Sequence, residues 1–136
     1  MDSVISMKLK NHTTYDKKIL FVTILCSTFE ENDNIINQII EKYKDYLIKN
    51  PGICIIFDTR RLNYVNPKSA WAYSNMLSKL NNLAKKNVTC SCVIMQNKML
   101  KDLFNTVIKV HPIVVPFKII SNNQEALNFI LEKIKN

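Results

Sequence analysis

The chain has 136 residues, of which 47% are hydrophobic, 22% are charged and only one is glycine, and its formal net charge is +8. Average usage would give about 7% glycine. The shortage excludes functions that depend on glycine-rich loops, namely the Walker A loop, the GxGxxG dinucleotide turn, the GxSxG nucleophile elbow and the kinase glycine-rich loop.

The first half of the chain predicts a strand pair, a helix and the turn that ends it. Residues 5–9 alternate apolar and polar side chains, and the run 19–26 is almost wholly apolar, so both are predicted strands. The polar residues 11–16 connect them, which predicts a hairpin. From about residue 32, apolar side chains recur every three to four positions, as in an amphipathic helix, until Asn50-Pro51-Gly52 ends the pattern.

The second half alternates strands with helices. In order, these are a strand at 53–57, a helix from Asn66-Pro67 to Lys85-Lys86, a strand at 88–96, a helix from Met99 to the residue before Pro112, a strand at 117–120, and a helix from Asn122 through Ile134. The resulting order, β-β-α-β-α-β-α-β-α, predicts one α/β domain over residues 1–136. Its sheet is expected to be mostly parallel, with an N-terminal antiparallel hairpin.

The four cysteines lie in apolar, strand-like runs, and they are Cys26, Cys54, Cys90 and Cys92. We expect free, buried thiols of the kind that a reducing compartment preserves. The spacing Cys90-Ser91-Cys92 is not that of a zinc site, and neither His12 nor His111 lies at a finger-like distance from it. We therefore expect no metal and no cofactor.

No apolar run is long enough to span a membrane. The start, Met1-Asp2-Ser3, lacks the basic and apolar regions of a signal peptide, so an intracellular, cytoplasmic protein is expected. The two histidines have no acid or nucleophile within sequence reach, and we predict no catalytic residues.

The positive charge is unevenly distributed. Residues 1–58 have a net charge of −1, whereas residues 59–136 have a net charge of +9. Such asymmetry indicates an anionic partner. The alternative is codon bias, because lysine, asparagine and isoleucine together make up 52 residues, as in an AT-rich genome. The adjacent pair Arg60-Arg61 is less easily explained by that bias.

Four cations are predicted at the carboxyl edge of the sheet: Arg60, Arg61, Lys68 and Lys98. Helix N-termini gather at this edge and favour anions. Two interpretations remain open, a docking site for a phosphate, an acidic peptide or a nucleic-acid backbone, and a solvated rim of unrelated charges. Trp71 falls outside the apolar stripe of its helix, so it either anchors a partner or packs on a neighbouring loop.

Residues 57–65 resemble the STAS domain, the fold of bacterial anti-sigma-factor antagonists and of the cytoplasmic tails of sulfate transporters. In that family a strand ending in Asp leads through a turn to an Asp-Ser-Ser-Gly segment that opens the next helix. Asp58, Leu62, Tyr64 and Val65 match the acidic and apolar spacing of this pattern. The order of elements is similar over nearly the whole chain, and the resemblance implies a protein-binding module rather than an enzyme.

The phosphorylation segment of the family is altered in this chain. Asn66 stands at the family's Asp, Lys68 at the phosphorylatable serine, and Ser69 at the glycine. Ser69 is either a modified residue or simply a favourable residue for opening a helix.

These observations predict a non-enzymatic, regulatory, intracellular interaction module. The expected partner-binding residues are Arg60, Arg61, Lys68, Ser69, Trp71 and Lys98. We also expect that the protein can form a homodimer, through either the sheet edge or the second helix. The alternatives are a basic nucleic-acid-binding protein that uses the second half of the chain, and a binder of a small anion such as a nucleotide or a lipid headgroup.

Overall fold

The computed structural model describes residues 4–12 and 16–135. The termini and part of the predicted 11–16 connection lie outside the described residues. The elements in chain order are β1 (Ile5–His12), β2 (Lys17–Ile24), β3 (Thr28–Phe29), α1 (Asp33–Lys49), β4 (Ile53–Asp58), β5 (Tyr64–Val65), α2 (Pro67–Ser78), α3 (Asn81–Asn87), β6 (Val88–Ile94), α4 (Lys98–Val110), β7 (Phe117–Ile120) and α5 (Asn123–Lys135).

Five strands form the main sheet, in the order β1-β2-β4-β6-β7. β1 pairs antiparallel with β2, and the other neighbouring pairs are parallel. The predicted α/β class, the mostly parallel sheet and the N-terminal antiparallel hairpin are thus confirmed. After β2, the successive parallel strands β4, β6 and β7 are each added at the same edge of the growing sheet. Right-handed crossovers therefore place their helices on one face of the sheet.

The core has two layers, one on each face of the sheet. On one face, Leu20 and Ile55 pack with Ile36 and Ile39 of α1 and with the partly buried side chains of α2–α4. On the other face, the helix is α5, whose Ala126, Phe129 and Ile130 pack with Ile19, Ile56, Ile94, Ile120 and three cysteines. Cys54, Cys90 and Cys92 are buried free thiols as predicted, whereas Cys26 lies beyond β2 and is half-buried.

Helix ends follow the local chemistry of the sequence. The Asn66 side chain accepts a hydrogen bond from the Lys68 amide at 2.9 Å, and Pro67 occupies the first helical position. Asn122 likewise accepts from the Glu125 amide at 2.9 Å. Gly52 has φ +86°, a left-handed conformation that glycine reaches without the steric cost of a side chain. The predicted helix and turn boundaries at these three places are confirmed.

The structure differs from the predicted elements in two places. β3 and β5 pair in parallel as a separate two-residue sheet, which is too short to produce any periodic pattern in the sequence. The predicted helix 66–86 is two helices, because the Lys79 and Leu80 amides bond to carbonyls three residues back and the chain turns there. Both differences involve the segment between β4 and β6, which contributes β5 to the small sheet and contains both helices.

Candidate functional site

The connection from β4 to α2 begins with a well-ordered ion pair. Arg60 donates from Nε to Asp58 Oδ1 at 3.0 Å and from Nη2 to Oδ2 at 2.7 Å, and its amide also bonds to Oδ1 at 3.0 Å. Burial opposes ionisation of Asp58, but these Arg60 hydrogen bonds outweigh it and hold the pKa of the carboxyl below its usual value. The guanidinium of Arg60 is therefore committed to a partner in its own loop.

A polar cleft of about 250 Å³ opens at the carboxyl ends of β4 and β6. Its lining residues are Thr59, Arg60, Leu62, Asn63, Gln96 and Asn97. Thr59 fixes one wall, since its hydroxyl donates to the Ile94 carbonyl at 2.7 Å, and Gln96 fixes the other by donating to the Ser121 carbonyl at 2.9 Å. Arg60 and Asn97, the residue before Lys98, thus line one cleft, in agreement with the predicted edge. The strand order does not reverse between β4 and β6, so this edge lacks the crevice that a topological switch point provides.

The first turn of α2 presents one predicted residue to solvent and buries another. Lys68 is exposed, and no acidic residue lies in this turn. Ser69 is only 7% exposed, and its hydroxyl donates to the Glu31 carbonyl at 3.0 Å. This hydrogen bond ties the start of α2 to the segment before α1, which gives Ser69 a structural role in the folded chain.

Trp71 is half-buried and packs edge-on against His111, with ring centroids 5.8 Å apart. Of the two alternatives open from the sequence, the packing contact is therefore present. His111 follows the last residue of α4, whereas Lys98 is the first residue of that helix, roughly 20 Å away at 1.5 Å per residue. Of the predicted site residues, Lys98 and Trp71 therefore lie near opposite ends of α4.

An apolar cavity of about 260 Å³ lies between the sheet and helices α2, α3 and α4. Phe57 and Val93 of the sheet, Leu77 of α2 and Phe104 of α4 contribute to its walls. None of the apolar side chains of α2 is fully buried, because this helix packs over the cavity rather than onto the sheet. Sequence reasoning missed the cavity, since its lining has the same spacing as an ordinary core.

Three polar side chains of α2 line this cavity, Tyr73, Ser74 and Ser78. The Ser74 hydroxyl is buried and has no hydrogen-bond partner among the residues described, 4–12 and 16–135. Burial raises the pKa of Tyr73 to about 12, so its phenol is neutral at physiological pH. The cavity therefore combines apolar walls with a hydroxyl that could bond to a ligand.

Neither a metal cluster nor a membrane span is found in the described part of the chain. Its His, Cys, Asp and Glu side chains form no group of three that could hold a metal ion. Its helices are all too short or too polar to cross a bilayer.

Comparison with known proteins identifies the fold. No protein-family model and no curated protein sequence matches the chain. An uncharacterised DUF3478-family protein from Shewanella loihica PV-4, which has a SpoIIAA-like fold, superposes with a TM-score of 0.62 at 16% identity, covering 93% of each chain. The unphosphorylated anti-sigma factor antagonist SpoIIAA superposes with a TM-score of 0.61 at 12% identity, over 93% of this chain and 97% of that one.

A third similar structure is the diguanylate cyclase SiaD in complex with its activator SiaC, from Pseudomonas aeruginosa. It matches with a TM-score of 0.57 at 16% identity, over 90% of this chain and 95% of that one. The chain therefore has a SpoIIAA-like, STAS-like fold, which confirms the resemblance read from residues 57–65.

Proposed function

We propose that this protein is a non-enzymatic regulatory module that binds a partner protein through the connection between β4 and α2 and the first turn of α2. The similar structures support a regulatory role, since SpoIIAA is an anti-sigma factor antagonist and SiaC is an activator found in complex with the cyclase SiaD. The proposal rests on two exposed cations in this segment, Arg61 and Lys68, that form no salt bridge with the residues the structure describes.

We name Arg61, Tyr64 and Lys68 the docking segment. Arg61 and Lys68 are exposed and form no salt bridge with any described residue, in contrast to Arg60. Tyr64 lies between these two residues in the sequence, and 43% of its surface is exposed. Arginine and tyrosine are enriched in the energetically dominant parts of protein interfaces. An acidic partner surface is the complement to this arrangement.

The docking segment is held in place before a partner arrives. Asp58 and Arg60 fix the start of the connection, β3 pairs with β5, and Ser69 bonds to Glu31. Because little conformational entropy remains to be lost on binding, a fixed segment supports affinity better than a mobile loop.

The chemistry of the segment favours binding that is not controlled by phosphorylation. Lys68 is a cationic side chain at the position where STAS domains have the phosphorylatable serine. Ser69 is buried and hydrogen-bonded, so a kinase could reach its hydroxyl only after α2 detaches from Glu31.

Affinity capture from lysate of the source cells tests the proposal. The baits are the wild-type protein, the variant Arg61→Glu/Lys68→Glu, and the control Lys85→Glu/Lys86→Glu, which makes the same charge change on exposed positions of α3. We expect a protein that wild type and control recover equally and that the docking-segment variant recovers at least tenfold less. Equal recovery by all three baits, or equal loss in both variants, would contradict the proposal.

A further inference from the structure

We propose that the apolar cavity between the sheet and α2–α4 binds a medium-chain fatty acid, with its carboxylate at Ser74. This inference is independent of the docking segment. An engineered apolar cavity of about 150 Å³ stays dry and binds benzene, so a cavity of about 260 Å³ has room for roughly ten non-hydrogen ligand atoms.

The shape of the cavity favours a flexible chain over a rigid ring. Its lining follows β6 from Val88 through Ser91 and Val93 to Met95, a distance of about 23 Å at roughly 3.3 Å per residue. A small volume distributed over this length is narrow and irregular. An alkyl chain fills such a space by rotating about its single bonds, which a rigid fused ring system of equal volume cannot do.

The cavity opens to solvent at the segment that follows α4. Pro112 and Ile113 line the cavity and are also exposed, so the cavity reaches the surface at the segment after α4. Trp71 contacts His111 in that segment, and Ser74 lies one turn after Trp71 on the same face of α2. Ser74 therefore lies near the side of the cavity where the exposed residues after α4 are found.

The Ser74 hydroxyl and His111 define the headgroup that this end can accept. The hydroxyl is a donor without an acceptor among the described residues, and His111 also lines the cavity. A carboxylate supplies acceptor oxygens to both side chains and is attracted by a protein with a net charge of +8. A hydroxyl headgroup would bond to Ser74 but would lack the second attraction.

Calorimetric titration with carboxylates of increasing chain length, below their micelle concentrations, tests the proposal. We expect one saturable site and an affinity that rises about fourfold per methylene from hexanoate to decanoate. Longer chains should gain less once the cavity is full, and decanol should bind more weakly than decanoate. Decanoate at a hundredfold excess over its Kd should raise the melting temperature by about 8–14 °C.

Three variants localise the binding. Ser74→Val removes the hydroxyl and is expected to lower decanoate affinity about tenfold while the protein stays folded. Ala84→Leu narrows the cavity from α3, and should lower affinity to a similar or greater extent. Asn75→Val, at the exposed neighbouring position outside the cavity, should bind decanoate within twofold of wild type. The absence of saturable binding to wild type, or binding that neither cavity variant weakens, would overturn the proposal.

Discussion

Replacing Ser74 with valine should stabilise the protein, although most substitutions at buried positions destabilise. The Ser74 hydroxyl is buried against the apolar cavity without a partner among the described residues. A hydroxyl in that state costs about 1–3 kcal/mol. The matched control lies on the same helix: Ser69 is also a serine with a buried side chain, but its hydroxyl bonds to the Glu31 carbonyl at 3.0 Å.

The expected magnitudes follow from these two environments. Ser74→Val removes the unpaired hydroxyl and places additional methyl surface in the cavity at about 0.8 kcal/mol per buried group. Serine and valine have similar helix propensities, so the backbone contributes little to the difference. We expect the free energy of unfolding to rise by about 1–2 kcal/mol. Ser69→Val should instead lower it by about 1–2 kcal/mol, because the partly buried hydrogen bond to the Glu31 carbonyl is lost.

Urea and thermal unfolding of wild type and both variants, without added ligand, check this prediction. At about 3–5 °C per kcal/mol for a domain of this size, Ser74→Val should melt about 3–10 °C above wild type and Ser69→Val a similar amount below it. Two variants that are equally destabilised would refute the reasoning, since it rests on the different hydrogen bonding of the two hydroxyls. A stabilised Ser74→Val that binds decanoate less well would show that this serine is retained for binding at the expense of stability.

Three further predictions concern the fold that positions these sites. Asp58→Asn should lower the free energy of unfolding at pH 7 by about 1 kcal/mol, because the ion pair with Arg60 is partly exposed to solvent. The pKa of Asp58 in the folded protein is below its usual value of 3.8. In pH-dependent unfolding experiments, the difference between wild type and variant should therefore persist above pH 3.8 and vanish as the pH falls below the pKa of the folded protein. Gly52→Ala should lower the free energy of unfolding in urea by about 1–2 kcal/mol, because φ is +86° and a Cβ there would lie 3.2 Å from Lys17 Nζ. An unchanged urea midpoint would contradict a strained turn. Asn87→Ala should lower the free energy of unfolding by about 1–3 kcal/mol, measured by calorimetry, because the buried Asn87 amide donates to a main-chain carbonyl of α1 at 2.8 Å. A decrease of less than about 0.5 kcal/mol would exclude this hydrogen bond as a stabilising contact.

Elements specified by local chemistry could be predicted from the sequence. The unbroken apolar run of β4, the pair Asn66-Pro67 and the single glycine each produce a recognisable pattern, and each has the predicted structure. The parallel order of strands follows from their alternation with helices. The exposed position of Lys68 also follows from the sequence, because the first turn of a helix after an asparagine cap has a predictable face.

Features that depend on long-range contacts could not be predicted. Trp71 meets His111, which is 40 positions away in the chain, so no local pattern signals the contact. The break at Lys79–Leu80 interrupts an apolar spacing that continues without change into α3. The cavity is space left between correctly predicted elements, and its volume depends on how far α2 stands from the sheet.

Hydrogen–deuterium exchange of the protein with its captured partner tests the central claim, that the docking segment binds a protein. We expect the partner to protect amides in residues 59–71 from exchange. In the control region 79–87, around α3, the exchange rates should be the same with and without the partner. Protection confined to β1, or to the α5 face of the sheet, with residues 59–71 exchanging as in the free protein, would contradict it.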